Sequence, residues 1–351
     1  MIIKSIKLKN FRSYKQKEFE LSDTTNVFFG NNAQGKTNVL EAIYVCAIGK
    51  SFRTRKDAEL VHFGEEFGSV DISFSDKNRD KNVNFIVSDK SKKQIKLNGI
   101  KQTKISDLLG NLYVVLFSPE DMNFAKGEPG ERRKGFDMLI SQLNPFYMHV
   151  LQEYYKVLEQ RNTLLKIKDR RVDVSELDIW DEKLTELNIK IMTIRKEYVD
   201  KIQPIFSKYH KEIASQKEDV FIRYKTHVEN DVDKVKKALE DRRIQDLRRG
   251  FTSYGIHRDD YIFEINDLNL GLFGSQGQVR TAILSLKLAE KDLFFIEKEE
   301  MPVLLLDDVM SELDGYRREY LYEKLKNCQV LITCTDKLPG QDIKSFEIFK
   351  E

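Results

Sequence analysis

Eight residues, Gly30-Asn31-Asn32-Ala33-Gln34-Gly35-Lys36-Thr37, complete the pattern G-x-x-x-x-G-K-[ST]. Backbone amides of such a loop turn inward around an anion, and the dipole of a following helix adds positive potential. Lys36 is then expected to reach the β- and γ-phosphates of ATP as a point charge, and Thr37 to offer its hydroxyl to Mg2+. Far downstream, the apolar run Val303-Leu304-Leu305-Leu306 ends in Asp307-Asp308. Carboxylates at the end of a buried strand fall at the carboxyl edge of a parallel sheet, where open α/β folds bind ligands. Asp307 is the expected partner of the Mg2+ held by Thr37, and Asp308 is placed to polarise the attacking water. A chance Gly-rich turn and a strand ending in solvated acids are the bland alternatives. Together the two motifs point to nucleotide hydrolysis.

The flanking residues predict the elements this chemistry needs. Val27-Phe28-Phe29 reads as a short buried strand before the loop, and 38–43 as the start of a helix after it. Strands are predicted at 2–8, 16–21, 26–29, 67–74, 83–88 and 94–97, the last followed by the hairpin signal Asn98-Gly99, and at 111–117. From about 136 to 215 the pattern turns helical. Trp180, Leu184, Leu187, Ile191, Ile194, Tyr198, Ile202 and Ile205 recur at three- and four-residue steps, one face of a long helix with a bend expected at Pro204. An earlier stripe through Tyr147, Leu151, Tyr154, Leu158 and Leu165 predicts a partner helix, joined through 169–175 as an antiparallel hairpin. Strands return at 220–226 and 261–265. The expected architecture is α/β: a nucleotide-binding head of residues 1–135 and 216–351, strand-rich in its first half, with a helical lobe of 136–215 inserted.

Composition bounds the function classes. With 351 residues, 40% of them hydrophobic, a sizeable core is expected, but 59 basic against 57 acidic residues leave a net charge of only +2. Nucleic-acid binding therefore has to be argued from local patches, not from global basicity. Cys46, Cys328 and Cys334 lie in apolar contexts without metal-ligand spacing, as in the core of a protein in a reducing compartment. Met1-Ile2-Ile3-Lys4 opens a strand pattern and no apolar stretch is long enough for a membrane span. A soluble, cytoplasmic protein without a membrane partner is expected.

A third motif, Phe273-Gly274-Ser275-Gln276-Gly277-Gln278, precedes a helix predicted from 279 through 295, with Ser275 as its cap. Ser311-Glu312-Leu313-Asp314 follows the Asp-Asp strand as another cap. Phosphate loop, Ser-Gln-Gly-Gln signature, Leu-Leu-Leu-Asp-Asp strand and Ser-Glu-Leu-Asp loop, in this order, resemble the ABC-type ATPases of DNA maintenance. Within them the chain is most similar to the RecF family of recombination mediators. The segments at 8–14, 49–54, 117–121 and 255–260 look RecF-like as well.

The resemblance implies an ABC-type P-loop ATPase head in which Ser275, Gln276, Gly277 and Gln278 of one copy close over the nucleotide held by Gly30–Thr37 of another. ATP would then join a homodimer that binds single-stranded, double-stranded or gapped junction DNA. It further implies RecR, RecO and RecA as partners in recombinational repair, replication-fork maintenance and the SOS response. Resemblance also puts Arg12 at the nucleotide phosphates and Arg53 where a DNA-sensing arginine would sit. Two departures from the general ABC pattern suggest slow hydrolysis. Asp308 stands where a glutamate is usual, and no switch histidine follows, so Thr335 or Asp336 would substitute.

Basic clusters occur at Lys50, Arg53, Arg55 and Lys56, at Arg132, Arg133 and Lys134, and at Arg242, Arg243, Arg248 and Arg249. Each is either a phosphate-contacting surface or a solvated face; Arg53 and Arg55 are the expected DNA contacts. His257 and Arg258 read as structural. Rival readings are a transporter ATPase subunit, an SMC-like chromosome-organising head and a nucleotide-gated scaffold without significant hydrolysis. The short helical insert argues against the long coiled-coil arm of an SMC protein.

Overall fold

Period-two alternation over the first hundred residues builds an antiparallel sheet, and the apolar runs build a second, parallel one. The computed structural model describes residues 1–88, 90–167, 174–214, 218–338 and 342–349. In chain order come β1 (Ile2–Phe11), β2 (Tyr14–Glu20), β3 (Thr25–Phe29), α1 (Lys36–Ile48), β4 (Phe67–Ser75), β5 (Asp80–Ser88), β6 (Gln94–Leu97), β7 (Ile100–Gln102) and β8 (Val114–Phe117). Helices α2 (Pro129–Leu143), α3 (Pro145–Leu165) and α4 (Asp178–Ile213) follow, then β9 (Val220–Lys225), α5 (Val232–Glu240), α6 (Arg243–Arg249), β10 (Asp260–Ile265) and β11 (Leu268–Asn269). The chain continues through α7 (Leu270–Phe273), α8 (Gln276–Lys298), β12 (Val303–Asp307), α9 (Gly315–Leu325), β13 (Val330–Cys334) and β14 (Ile343–Glu347).

The antiparallel sheet has the order β2-β1-β4-β5-β6-β7, with Asn98 (φ 51°) and Gly99 (φ 80°) as the two-residue turn between its last strands. The parallel sheet has the order β14-β3-β13-β12-β8. Every residue of β12 and β13 is buried, because the sheet is covered on both faces. Val303 and Leu305 point into one core with Val39, Leu40 and Ile43 of α1; Leu304 and Leu306 point into the other with Ile283 and Leu286 of α8. That is the strand's two-residue period. A smaller sheet, β11-β10-β9, completes the fold.

The predicted stripe lies on one helix, α4, which runs through Pro204 and packs against α3 and α8. Its Leu184, Ile191 and Ile202 share a core with Leu304 and Leu306 of the sheet, so helices and sheet have no apolar seam between them. The expected boundary at 135/136 falls inside α2. The boundary at 215/216, and most of the 169–175 connection, lie outside the described residues. Strand β8 starts at Val114 rather than 111. Strand β14 was not anticipated: Ile343-Lys344-Ser345-Phe346-Glu347 is an edge strand, polar enough to read as a tail, and Phe346 anchors it by stacking on Phe28 at 5.1 Å. All three cysteines are buried thiols.

Candidate functional site

The loop after β3 must turn sharply, and two glycines permit it. Gly30 takes φ 146° and Gly35 φ 104°. A Cβ at Gly30 would come within 2.5 Å of both Gln34 Oε1 and the Ile348 carbonyl; one at Gly35 would meet Ser13 Oγ at 2.4 Å. Side chains are thus excluded from the cradle on both sides. Asn31, Asn32 and Ala33 are exposed at its rim, and Gln34 Oε1 is buried without a hydrogen-bond partner. Lys36 opens α1 and is buried. Its ammonium bends back over the loop, donating to the carbonyls of Gly30 at 2.6 Å and Asn31 at 3.3 Å.

Thr37 Oγ1 donates to Asp307 Oδ1 at 2.8 Å, so the two expected Mg2+ ligands are brought together. Strand β13 lies between β3 and β12, and its Thr333 is in register with both Asp307 and Phe28. Thr333 Oγ1 donates to the same Oδ1 at 2.7 Å and accepts from the Asp308 amide at 2.9 Å. Among the described residues nothing donates to Asp307 Oδ2. Burial pushes the Asp307 carboxyl above the usual aspartate range; the charges of Asp308 and Glu120 push the same way, against the two threonine hydroxyls. A buried carboxylate beside a threonine hydroxyl, with one oxygen uncommitted and excess negative charge around it, fits a hard divalent cation. Thr37 and Asp307 are the residues that would hold Mg2+. Asp308 is half-buried at φ 52°, where the strand ends, and its carbonyl accepts from Ser311 Oγ at 2.7 Å.

Thr333 was missed by sequence reasoning. Its signal was a lone hydroxyl inside the run Val330-Leu331-Ile332-Thr333-Cys334. Thr335 and Asp336, expected to replace a switch histidine, lie beyond the strand, exposed and hydrogen-bonded to each other at 2.9 Å.

Ser275 caps α8 in a reciprocal capping box: the Gln278 amide donates to Ser275 Oγ at 3.2 Å and the Ser275 amide to Gln278 Oε1 at 2.9 Å. Ser275 and Gln276 are exposed. Gln278 donates to Glu218, and Gly277 O accepts from Arg317, whose guanidinium also holds Asp314 and Thr281. Among the described residues no hydrogen bond or ion pair joins this segment to the phosphate loop.

Arg12 grips the fully buried Glu41 of α1 through Nε (2.8 Å) and Nη2 (2.6 Å), and its Nη1 donates to Glu59 O at 2.7 Å. Arg53 approaches the same carboxylate at 3.6 Å and donates to Asn38 at 2.9 Å. Arg12 and Arg53 therefore share one anchor beside the phosphate-loop helix, while Arg55 and Lys50 are exposed and carry no ion pair among the described residues. The other basic clusters are divided between internal contacts and the surface, where Arg248 and Arg249 are exposed and carry no ion pair among the described residues. Arg132 binds Asp260 at 2.8 and 2.9 Å, Arg133 donates to Asp259 O, and Arg243 holds Asp178 and Asp181. His257 Nε2 donates to Thr252 O at 3.1 Å, so its Nδ1 accepts from the Tyr154 hydroxyl at 2.7 Å; burial lowers its pKa to about 4.

Comparison with known proteins identifies the family. Residues 2–345 match the family described as RecF/RecN/SMC N terminal domain. A DNA replication and repair protein RecF of Acetivibrio thermocellus is 45% identical over 96% of this chain and 94% of its own; one of Clostridium botulinum is 43% identical over 95% and 93%. A solved structure described as the recombination mediator protein RecF with ATP superposes with a TM-score of 0.93 at 37% identity, covering 99% of this chain and 96% of that one. An Smc head bound to a domain of ScpA, at 17% identity and a TM-score of 0.57, shares the fold alone, that of the ABC-type ATPase head. Identity of this extent, carried over nearly the whole length of both chains, places the chain in the RecF family of DNA replication and repair proteins.

Proposed function

We propose that the chain is a slow, Mg2+-dependent ATPase of the cytoplasm whose ATP-bound homodimer clamps gapped or single-strand/double-strand junction DNA. On this reading Lys36 neutralises the β- and γ-phosphates, Thr37 and Asp307 hold Mg2+, and Asp308 polarises the attacking water. Mg2+ held by Thr37 and Asp307 would supply positive charge against the phosphates during hydrolysis. Ser275 to Gln278 present the N-terminal amides of α8 to the partner's γ-phosphate. Residues 136–215 are the helical lobe inserted in a head of 1–135 and 216–351. DNA is met by Arg53 and Arg55, with RecR and RecO as partners and RecA loading and the SOS response downstream.

One observation carries this reading. Ser275 is exposed at the N-terminus of a 23-residue helix and hydrogen-bonded within that helix cap, with no bond to the phosphate loop among the described residues, so on this reading one copy offers half of a nucleotide site. Sedimentation tests it: wild type is expected as a monomer alone and a dimer with ATP, while Ser275→Arg binds ATP and stays monomeric. A dimer that forms equally well without nucleotide would count against the clamp.

A further inference from the structure

Phe63 projects into solvent. The residue is 99% exposed, against 77% for Leu272, the next most exposed large apolar residue described. Single exposed hydrophobics are ordinary, so what matters is how this one is held. Phe63 and Gly64 form the corner of a tight turn, closed by the Glu65 amide donating to His62 O at 3.1 Å, with Gly64 at φ 87°. The His62 amide donates to Asn10 O at 2.9 Å, the His62 ring to Arg12 O at 2.7 Å, and Asn10 Nδ2 to Glu65 at 3.1 Å. Val61 bridges Phe11. The ring is therefore carried on a backbone fixed on both sides, so little further ordering is needed when it meets a partner.

The surroundings hold a second aromatic ring and several basic residues, along with acids. Lys9 Nζ stands 5.6 Å over the ring of Phe67, a second exposed aromatic. The turn is pinned to the backbone of Arg12, whose anchor Glu41 also holds Arg53. Lys50, Arg53, Arg55 and Lys56 lie on the segment leading into it. The nearby acids are engaged: Glu66 pairs with Lys90 at 2.5 Å, Asp57 with Lys93 at 3.0 Å and Glu59 with Lys56 at 3.8 Å, and Glu65 accepts from Asn10.

We propose that Phe63 is a stacking wedge for DNA, its ring lying on an unpaired base at the single-strand/double-strand boundary while the neighbouring basic residues take phosphates. Every base offers a π-face, so such a contact reads an open step and not a sequence. The proposal rests on the DNA-binding reading above and adds the residue that tells a junction from continuous duplex.

Fluorescence anisotropy in ATP and Mg2+ compares wild type, Phe63→Ala and Phe63→Trp on a gapped duplex and on a blunt duplex with the same number of phosphates. A 2-aminopurine at the gap edge reports stacking. Phe63→Ala is expected to weaken gapped-DNA binding about tenfold or more and to lose the 2-aminopurine change, with blunt-duplex affinity and salt slope within about twofold. Phe63→Trp is expected to restore both. Unchanged binding of gapped DNA by Phe63→Ala, or equal weakening on both DNAs, overturns the proposal. Equal weakening joined to loss of the ATP-dependent dimer would instead assign Phe63 to a contact between two copies. Wild type that binds neither DNA fails the DNA-binding reading itself, whereas wild-type binding with an indifferent Phe63→Ala fails the wedge alone.

Discussion

Charge is concentrated in two regions, and they are built on opposite principles. Between α3, α4 and the turn before β10, charged groups are buried and paired with one another, although Arg161 Nη2 and Asp259 Oδ1 are left without a hydrogen-bond partner among the described residues. Arg195 donates to Asp137, Tyr147, the Ile256 carbonyl and Asp259, and Arg161 to Asp181, Asp246 and Thr252. At the carboxyl edge of the parallel sheet the groups are left open. Among the described residues Lys36 meets only carbonyls and Asp307 has one oxygen uncommitted, and Ser275 faces solvent. The denser cluster is therefore the scaffold and the sparser one the site. What separates them is that the scaffold's cations are matched by carboxylates, whereas Lys36 at the sheet edge has no anionic partner among the described residues, so charge density alone does not mark where a ligand belongs.

Substitution at each region's central cation should separate the two roles most sharply. Arg195→Met strands Asp137 and Asp259 in the core and is expected to cost about 3–5 kcal/mol of unfolding free energy. Lys36→Met should leave the melting curve of the nucleotide-free protein almost unchanged while lowering ATP affinity about a hundredfold or more. Calorimetry and nucleotide titration of both variants check this, and a Lys36→Met protein with full ATP affinity would overturn the loop assignment.

Within the open site, Asp308→Asn should retain ATP, because Thr37 and Asp307 are untouched, yet lose about a hundredfold or more in turnover. A longer-lived dimer on DNA is the accompanying readout. Wild-type hydrolysis by Asp308→Asn would move the water-activating role elsewhere.

The smallest effect concerns the closed region and pH. Burial holds His257 at about 4 and also lowers His210, so the unfolded chain binds more protons than the native one between pH 4 and the ordinary histidine value near 6.5. Their neutral forms thus contribute stability that is complete above pH 6.5 and lost as pH falls toward 4. His257→Gln should flatten the slope of melting temperature against pH between about 5 and 6.5. An unchanged slope would mean that His257 is protonated in the fold.

How much of this was legible from residues alone depends on range. The phosphate loop, its strand and helix, the Asp-Asp strand end and the α8 cap are local patterns, set by glycine freedom, apolar periodicity and capping chemistry within a few residues. Each was read close to its observed position. The long stripe of α4 was equally plain, since its apolar spacing persists over many turns.

Tertiary structure decided the rest. Strand β13 is threaded between β3 and β12, and that order alone sets Thr333 on Asp307 and closes the joint with Thr37. Edge strand β14 pairs with β3, which brings Ile348, the residue just after it, against Gly30. The folded core also separated basic residues paired internally, such as Arg132 and Arg243, from Lys50 and Arg55 at the surface. The residue types and the backbone states they allow are written locally. Which side chains face each other is set by strand order and burial, where contacts join residues hundreds of positions apart.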